Sequence, residues 1–223
     1  MPFAPGEKLI FNLQYGPLQA GSATMSVSGI GRIGTVPCYH FTTYSRSAPF
    51  FDNVYPVRDL VESYADTTSL ITWRMEKHLR EDEYRLDAVV KLDPPRHRAV
   101  YGDGQTIEVD AHVRDPLAAF FYTRTLPLAV GQTYTLPSHG DRKSYDVVIR
   151  VLRREIVKVP RGTYHCLALE PRLKSTGVFR HTGQMTVWVT DDARHLPVKL
   201  SSKVAVGSVV GVLVSAEGID ATP

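Results

Sequence analysis

The feature that most constrains this chain is an alternation of apolar and polar residues that runs almost from end to end. Over Glu7 to Tyr15 it places Leu9, Phe11, Leu13 and Tyr15 on one face and Lys8, Asn12 and Gln14 on the other. A period of two is the mark of a half-buried strand. Gly16-Pro17 then turns the chain. The pattern returns over Ala20 to Ser28, with Ala23, Met25 and Val27 inward, and again over Val36 to Tyr44, Leu60 to Ala65, Leu70 to Lys77 and Tyr84 to Leu92. Arg98 to Tyr101 and Gln105 to Val109 flank Gly102-Asp103-Gly104, a hairpin signal, because Asp-Gly accepts the positive φ of a tight turn. Further strands are expected at Thr133 to Leu136, Lys143 to Leu152, Glu155 to Val159, Tyr164 to Leu169, Gln184 to Thr190, Val198 to Val206 and Val209 to Glu217.

One segment breaks the rhythm. Asp115 is a capping residue and Pro116 follows at the first helical position, where a missing N–H costs nothing. Leu117, Phe120, Phe121 and Arg124 have helical spacing, so Asp115 to Arg124 is expected to be the main helix, an aromatic plug or lid on the sheet. No βαβ rhythm appears, which argues against a doubly wound sheet. The expected fold is all-β: an antiparallel β-barrel or half-barrel of many strands, with one principal helix packed on or in it. A barrel of ~200–250 residues commonly forms one domain, and the 223 residues are expected to do so over 1–223.

Charge excludes some partners. Lys plus Arg number 26 against 23 for Asp plus Glu, a surplus too small for the basic stripe of a nucleic-acid binder. The cluster of Arg150, Arg153, Arg154, Lys158 and Arg161 is interrupted by Glu155 and reads as a solvated strand face. No apolar run reaches the ~18 residues of a transmembrane helix, so the chain is not expected to span a membrane as one. Met1 to Gly6 lacks the basic and apolar regions of a leader.

Catalytic motifs are missing. Cys38 and Cys166 each neighbour a histidine, but adjacent residues in a strand point to opposite faces, so neither pair is a ready dyad. Both cysteines read as small buried residues, with a disulfide as the lesser alternative. The eight histidines form no HExxH or HxH pattern. Gly207-Ser208 sits within apparently continuous strand and forms no nucleophile elbow. Asp191-Asp192 could hold Ca²⁺ or act as acid and base; the preferred reading is a turn between Trp188-Val189 and Pro197-Val198. The expectation is therefore no enzyme, no metal and no cofactor.

Three stretches carry a resemblance. They are Gly6-Glu7-Lys8-Leu9 through Ala20-Gly21-Ser22-Ala23, Asp115 through Arg124, and Gly183 through Lys199 with its Thr-Asp-Asp-Ala-Arg-His-Leu-Pro run. Together with Gly162-Thr163 and Cys166 to Pro171 they resemble the exported bacterial family catalogued as domain of unknown function 3108. The resemblance implies a periplasmic or otherwise exported protein whose leader precedes the mature start. It also implies a curved antiparallel sheet similar to those of periplasmic lipoprotein carriers. It assigns no catalytic residue.

Aromatics such as Phe11, Tyr15, Phe41, Trp73, Phe120, Phe121 and Trp188 are expected mainly in the core. An incompletely closed sheet nevertheless has an apolar inner face that needs a cover, and apolar pockets with few polar groups are the usual small-molecule sites. The leading expectation is an envelope protein binding a lipid-like or other apolar ligand near Phe11, Leu13, Phe41 and Trp73, with Phe121 on the covering helix. The alternative is a non-enzymatic scaffold with a filled core.

Overall fold

A computed structural model of the chain describes residues 1–174, 185–203 and 207–219. The alternating segments become fourteen strands: β1 Lys8–Tyr15, β2 Leu18–Ile33, β3 Val36–Ser47, β4 Arg58–Asp66, β5 Thr72–Glu81, β6 Tyr84–Asp93, β7 Arg98–Tyr101, β8 Thr106–Glu108, β9 Thr133–Gly140, β10 Lys143–Val159, β11 Gly162–Lys174, β12 Met185–Thr190, β13 Pro197–Lys203 and β14 Ser208–Glu217. Two helices accompany them, the short α1 at Pro49–Asp52 and α2 at Pro116–Thr123. Gln184 and Val204 to Val206, expected as strand ends, fall outside the described residues, as does Gly183.

All fourteen strands join one antiparallel sheet in the order β8-β7-β6-β5-β4-β3-β2-β1-β14-β13-β12-β11-β10-β9. Two meanders are thus stitched together where β1 pairs with β14, Lys8 opposite Glu217 and Tyr15 opposite Val209. The free edges, β8 and β9, come from the middle of the sequence. They form no ladder with each other, so the sheet is a curled, open half-barrel.

Side chains and one short wedge bridge the seam between these edges. Arg114 N–H donates to the Pro137 carbonyl (3.1 Å), and His139 N–H donates to the Arg114 carbonyl (3.0 Å). Arg142 N–H donates to the Tyr101 hydroxyl oxygen (3.0 Å). The same hydroxyl lies 2.6 Å from His139 Nε2. His139 Nδ1 in turn meets the Ser144 hydroxyl (3.0 Å), which donates to the Glu108 carbonyl (3.2 Å). Burial holds the His139 imidazole below its ordinary pKa, in keeping with a neutral ring that accepts at one nitrogen and donates at the other.

Local chemistry explains the boundaries. Gly104 turns β7 into β8 at a φ of +86°, as the Asp-Gly signal requires. Asp66 closes the β4–β5 turn by accepting from the backbone N–H groups of Thr68, Ser69 and Ile71 and from the Ser69 hydroxyl. Two expectations need correcting. The segments Lys143 to Leu152 and Glu155 to Val159 are one strand, bent by a register shift between Val151 and Arg153. Gly207-Ser208 lies at a hairpin and not within continuous strand, because Lys203 pairs with Ser208 and Gly207 has a φ of +79°.

Alternation fails where both faces are covered. Val187, Trp188 and Val189 of β12 are all buried. Val187 and Val189 pack with Val147, Ile149 and Leu167, whereas Trp188 packs with Leu9, Phe11, Val157, Cys166 and Leu213.

Candidate functional site

Helix α2 sits inside the curled sheet, and its N-terminus is fixed by a buried carboxylate. Asp115 accepts from the backbone N–H groups of Leu117 (2.8 Å) and Ala118 (3.2 Å). Its other oxygen accepts from the Thr72 hydroxyl (2.7 Å) and the Ser63 hydroxyl, which anchors the helix to β4 and β5. Burial raises the Asp115 pKa, and these four donors oppose the rise.

The far end of the helix is fixed by a buried ion pair. Arg124 binds Glu7 through two bonds, Nη1 to Oε1 at 2.5 Å and Nη2 to Oε2 at 3.0 Å, with both side chains almost wholly buried. It also donates to the Pro2 and Arg194 carbonyls, while its own carbonyl meets His195 Nδ1 at 2.8 Å. Helix, N-terminal segment and β12–β13 turn are thus tied at one point.

Between these anchors the helix presents two unlike sides. On one, Phe121 stacks on Phe41 with ring centroids 4.0 Å apart and planes 8° from parallel. Phe3 meets both rings and Tyr39 edge-on. Leu117, Ala118, Val27, Ala65 and Leu70 complete this packed cluster. On the other side, Ala119, Phe120 and Thr123 face a cavity of about 840 Å³. Met25, Val61 and Met75 wall it from the first meander, and Val147, Ile149, Leu169, Val187 and Leu200 from the second.

The cavity has few polar groups, and two lie towards the seam. Lys77 reaches its wall from β5 and pairs with Asp141 at 2.6 Å, the lysine side chain 15% exposed and the aspartate 81%. Tyr145 enters from β10, and burial pushes its phenol up to about 12, so it stays a donor. Thr43, Val61 and Lys77 are cross-strand neighbours in one row, with Thr43 also at the wall. Glu170 and Arg172, bonded to each other at 2.8 Å, form a further charged rim.

Residues 10–214 match the family described as protein of unknown function, DUF3108. The chain belongs to that family. Among solved structures it is similar to a beta-barrel-like protein of domain of unknown function DUF1849 from Brucella abortus, with 10% identity, 98% of this chain and 99% of that one covered, and a TM-score of 0.65. That likeness fixes the barrel-like fold. A candidate exported protein with YmcC-like fold from Bacteroides fragilis gives 10% identity, 97% of each chain covered and a TM-score of 0.43. A candidate lipoprotein from Parabacteroides distasonis gives 9%, 96% and 97%, and 0.40. The last two superpose too loosely to bear on function. No curated protein matches the chain. Among the described residues no helix is long and apolar enough to cross a membrane.

None of the five residues expected around a ligand lines the large cavity. Phe41 and Phe121 are brought together, but as each other's packing partners. Phe11 lies in the cluster with Leu9 and Trp188. Leu13 is half-buried near Gly211, and Trp73 lines a separate, smaller recess with Pro37 and Pro94. A usable signal was present: three of the four methionines, Met25, Met75 and Met185, line the cavity. Flexible thioethers are frequent where a surface adapts to varied apolar shapes.

The cysteines and the Asp-Asp pair carry no reactive arrangement. Cys38 and Cys166 are free thiols, pushed up by burial to about 11 and about 12, so neither is a ready thiolate. The Asp191-Asp192 pair divides its work. Asp192 accepts from the Thr190 hydroxyl (2.7 Å) and Arg194 N–H (2.9 Å) and shapes the turn, whereas Asp191 leaves it to bind Arg154 Nε (2.6 Å).

Proposed function

We propose that this chain is a non-enzymatic protein of the bacterial envelope that carries an amphipathic ligand inside its half-barrel. The observation that carries the reading is the apolar cavity of about 840 Å³ beside α2, within the ~300–1,000 Å³ typical of small-molecule sites. Its belly suits an acyl-like tail. Lys77 and Tyr145 suit an anionic or hydrogen-bonding head, because an exposed partner such as Asp141 holds a lysine by only ~0–1 kcal/mol and is readily displaced. The filled-core scaffold is the weaker reading, since one side of the helix is left unpacked.

Native mass spectrometry of protein purified without detergent should show a co-purifying lipid-sized mass, and a fluorescent fatty-acid analogue should bind and be displaced by unlabelled fatty acid. Ile149→Trp, which fills the belly, should abolish that binding while leaving the fold intact by circular dichroism. Lys77→Met should weaken the fatty acid several-fold but leave its neutral alcohol unchanged. Absence of a bound mass together with no saturable probe binding would end the carrier reading.

A further inference from the structure

The outer face of the sheet, opposite the cavity, carries a cluster that the carrier reading does not use. Glu62 on β4 and Glu76 on β5 are directly opposed cross-strand partners. Like charges in that position repel each other. His78 follows two residues after Glu76 and so stands on the same face. One ligand atom from each of Glu62, Glu76 and His78 falls within 4.8 Å of the other two. His40, on the neighbouring β3, brings Nε2 to 2.7 Å from Glu62 Oε1, and its ring is stacked on Tyr64 with centroids 4.4 Å apart.

We propose that Glu62, Glu76 and His78, with His40 beside them, bind a divalent transition-metal ion of the Zn²⁺ class. Two carboxylates and imidazole are a borderline ligand set that suits Zn²⁺ over the all-oxygen preferences of Ca²⁺ and Mg²⁺. A tetrahedral zinc with ~2.0–2.1 Å bonds holds its ligand atoms roughly 3.4 Å apart, so the cluster needs only small side-chain rotations to close.

An independent feature supports the assignment. Asp87 on β6 binds His78 Nδ1 at 2.7 Å, and Arg80 holds that carboxylate by two further bonds of 2.9 and 2.8 Å. A carboxylate on one imidazole nitrogen fixes the ring and orients the other nitrogen, the usual support for a metal-bound histidine. Arg74 is the nearest competing cation. Its Nε lies 2.7 Å from Glu76 Oε1 but is not aligned to form a hydrogen bond there, so it balances charge without using the carboxylate up. The site joins neighbouring strands one rung from the Val61–Lys77 pair of the cavity wall, and a bound ion staples β4 to β5.

The test uses the untagged full chain, stripped with chelator and dialysed. Titration calorimetry with Zn²⁺, backed by competition against a chromophoric zinc chelator, should give one saturable ion per chain and a raised melting temperature; Ca²⁺ and Mg²⁺ should give neither. His78→Ala and Glu62→Gln/Glu76→Gln should each weaken zinc at least tenfold. Asp87→Asn should weaken it about tenfold through loss of ring support. His112→Ala, at an exposed histidine elsewhere, should leave binding unchanged. These side chains lie on the outer face, and circular dichroism of each metal-free variant confirms its fold. No saturable zinc binding, or binding that survives in both His78→Ala and the double glutamine variant, would overturn the proposal.

Discussion

Phe120 and Phe121 are neighbours in sequence and live in different worlds. Phe121 is fully buried against Phe41 and Phe3. Phe120 faces the cavity and is only partly buried. One helix therefore divides the half-barrel into a filled side, which fixes where the helix lies, and an open side, which that rigidity keeps open. Had both sides been packed, the chain would have a stable core and no room for a guest. With neither packed, the helix would fall into the space that it borders.

The comparison is broken most severely at its filled side. Phe121→Ala should cost ~3–5 kcal/mol in denaturant unfolding, the usual range for an aromatic lost from a tight core. Phe120→Ala should cost roughly 1–2 kcal/mol, since less of its surface leaves water, and should change probe affinity more than stability. Equal losses in the two variants would mean that the two sides are not distinct.

A smaller effect sharpens the split. Asp192→Ala should cost about 1 kcal/mol, the scale of a lost side-chain-to-backbone bond, because the turn it shapes also delivers the Arg194 carbonyl and His195 to Arg124 under the filled side. Asp191→Ala should cost only a few tenths, as the loss of an exposed ion pair does. Melting curves that reverse this order would refute the division of labour.

The smallest effect belongs to the seam on the open side. His139 is held below its ordinary value of 6.5 by burial, so the unfolded chain binds its proton more readily than the folded one. The stability this histidine contributes is then complete above pH ~6.5 and is lost as pH falls through the lower folded value. The melting temperature should decline over that acid range, and His139→Gln should flatten the decline. A parent and variant with parallel pH profiles would remove the seam from the account.

The strands were legible because period two needs only one covered face, and α2 because Asp115-Pro116 marks a capped start. The cavity was not. Phe120 and Phe121 both read as apolar on a helix, and nothing local says which neighbour each will meet. On β12 the run Val187-Trp188-Val189 is buried on both faces, so alternation cannot tell a cavity wall from a core. The length of β10 was hidden by its bulge, and α1, four residues long, is too short to show a period. The methionines are the one readable sign of an adaptable interior, with Met25, Met75 and Met185 at the cavity wall.

The pairing of β1 with β14 has a consequence in time. Each meander can form from contacts between neighbouring strands as it emerges, but the stitch that unites them joins Lys8 to Glu217. Contacts so distant in sequence carry a large loop-closure cost and slow folding. Until the last strand is delivered, β1 presents an unpaired backbone edge, a template for another strand. A chain released one residue at a time carries that open edge until its final strand arrives.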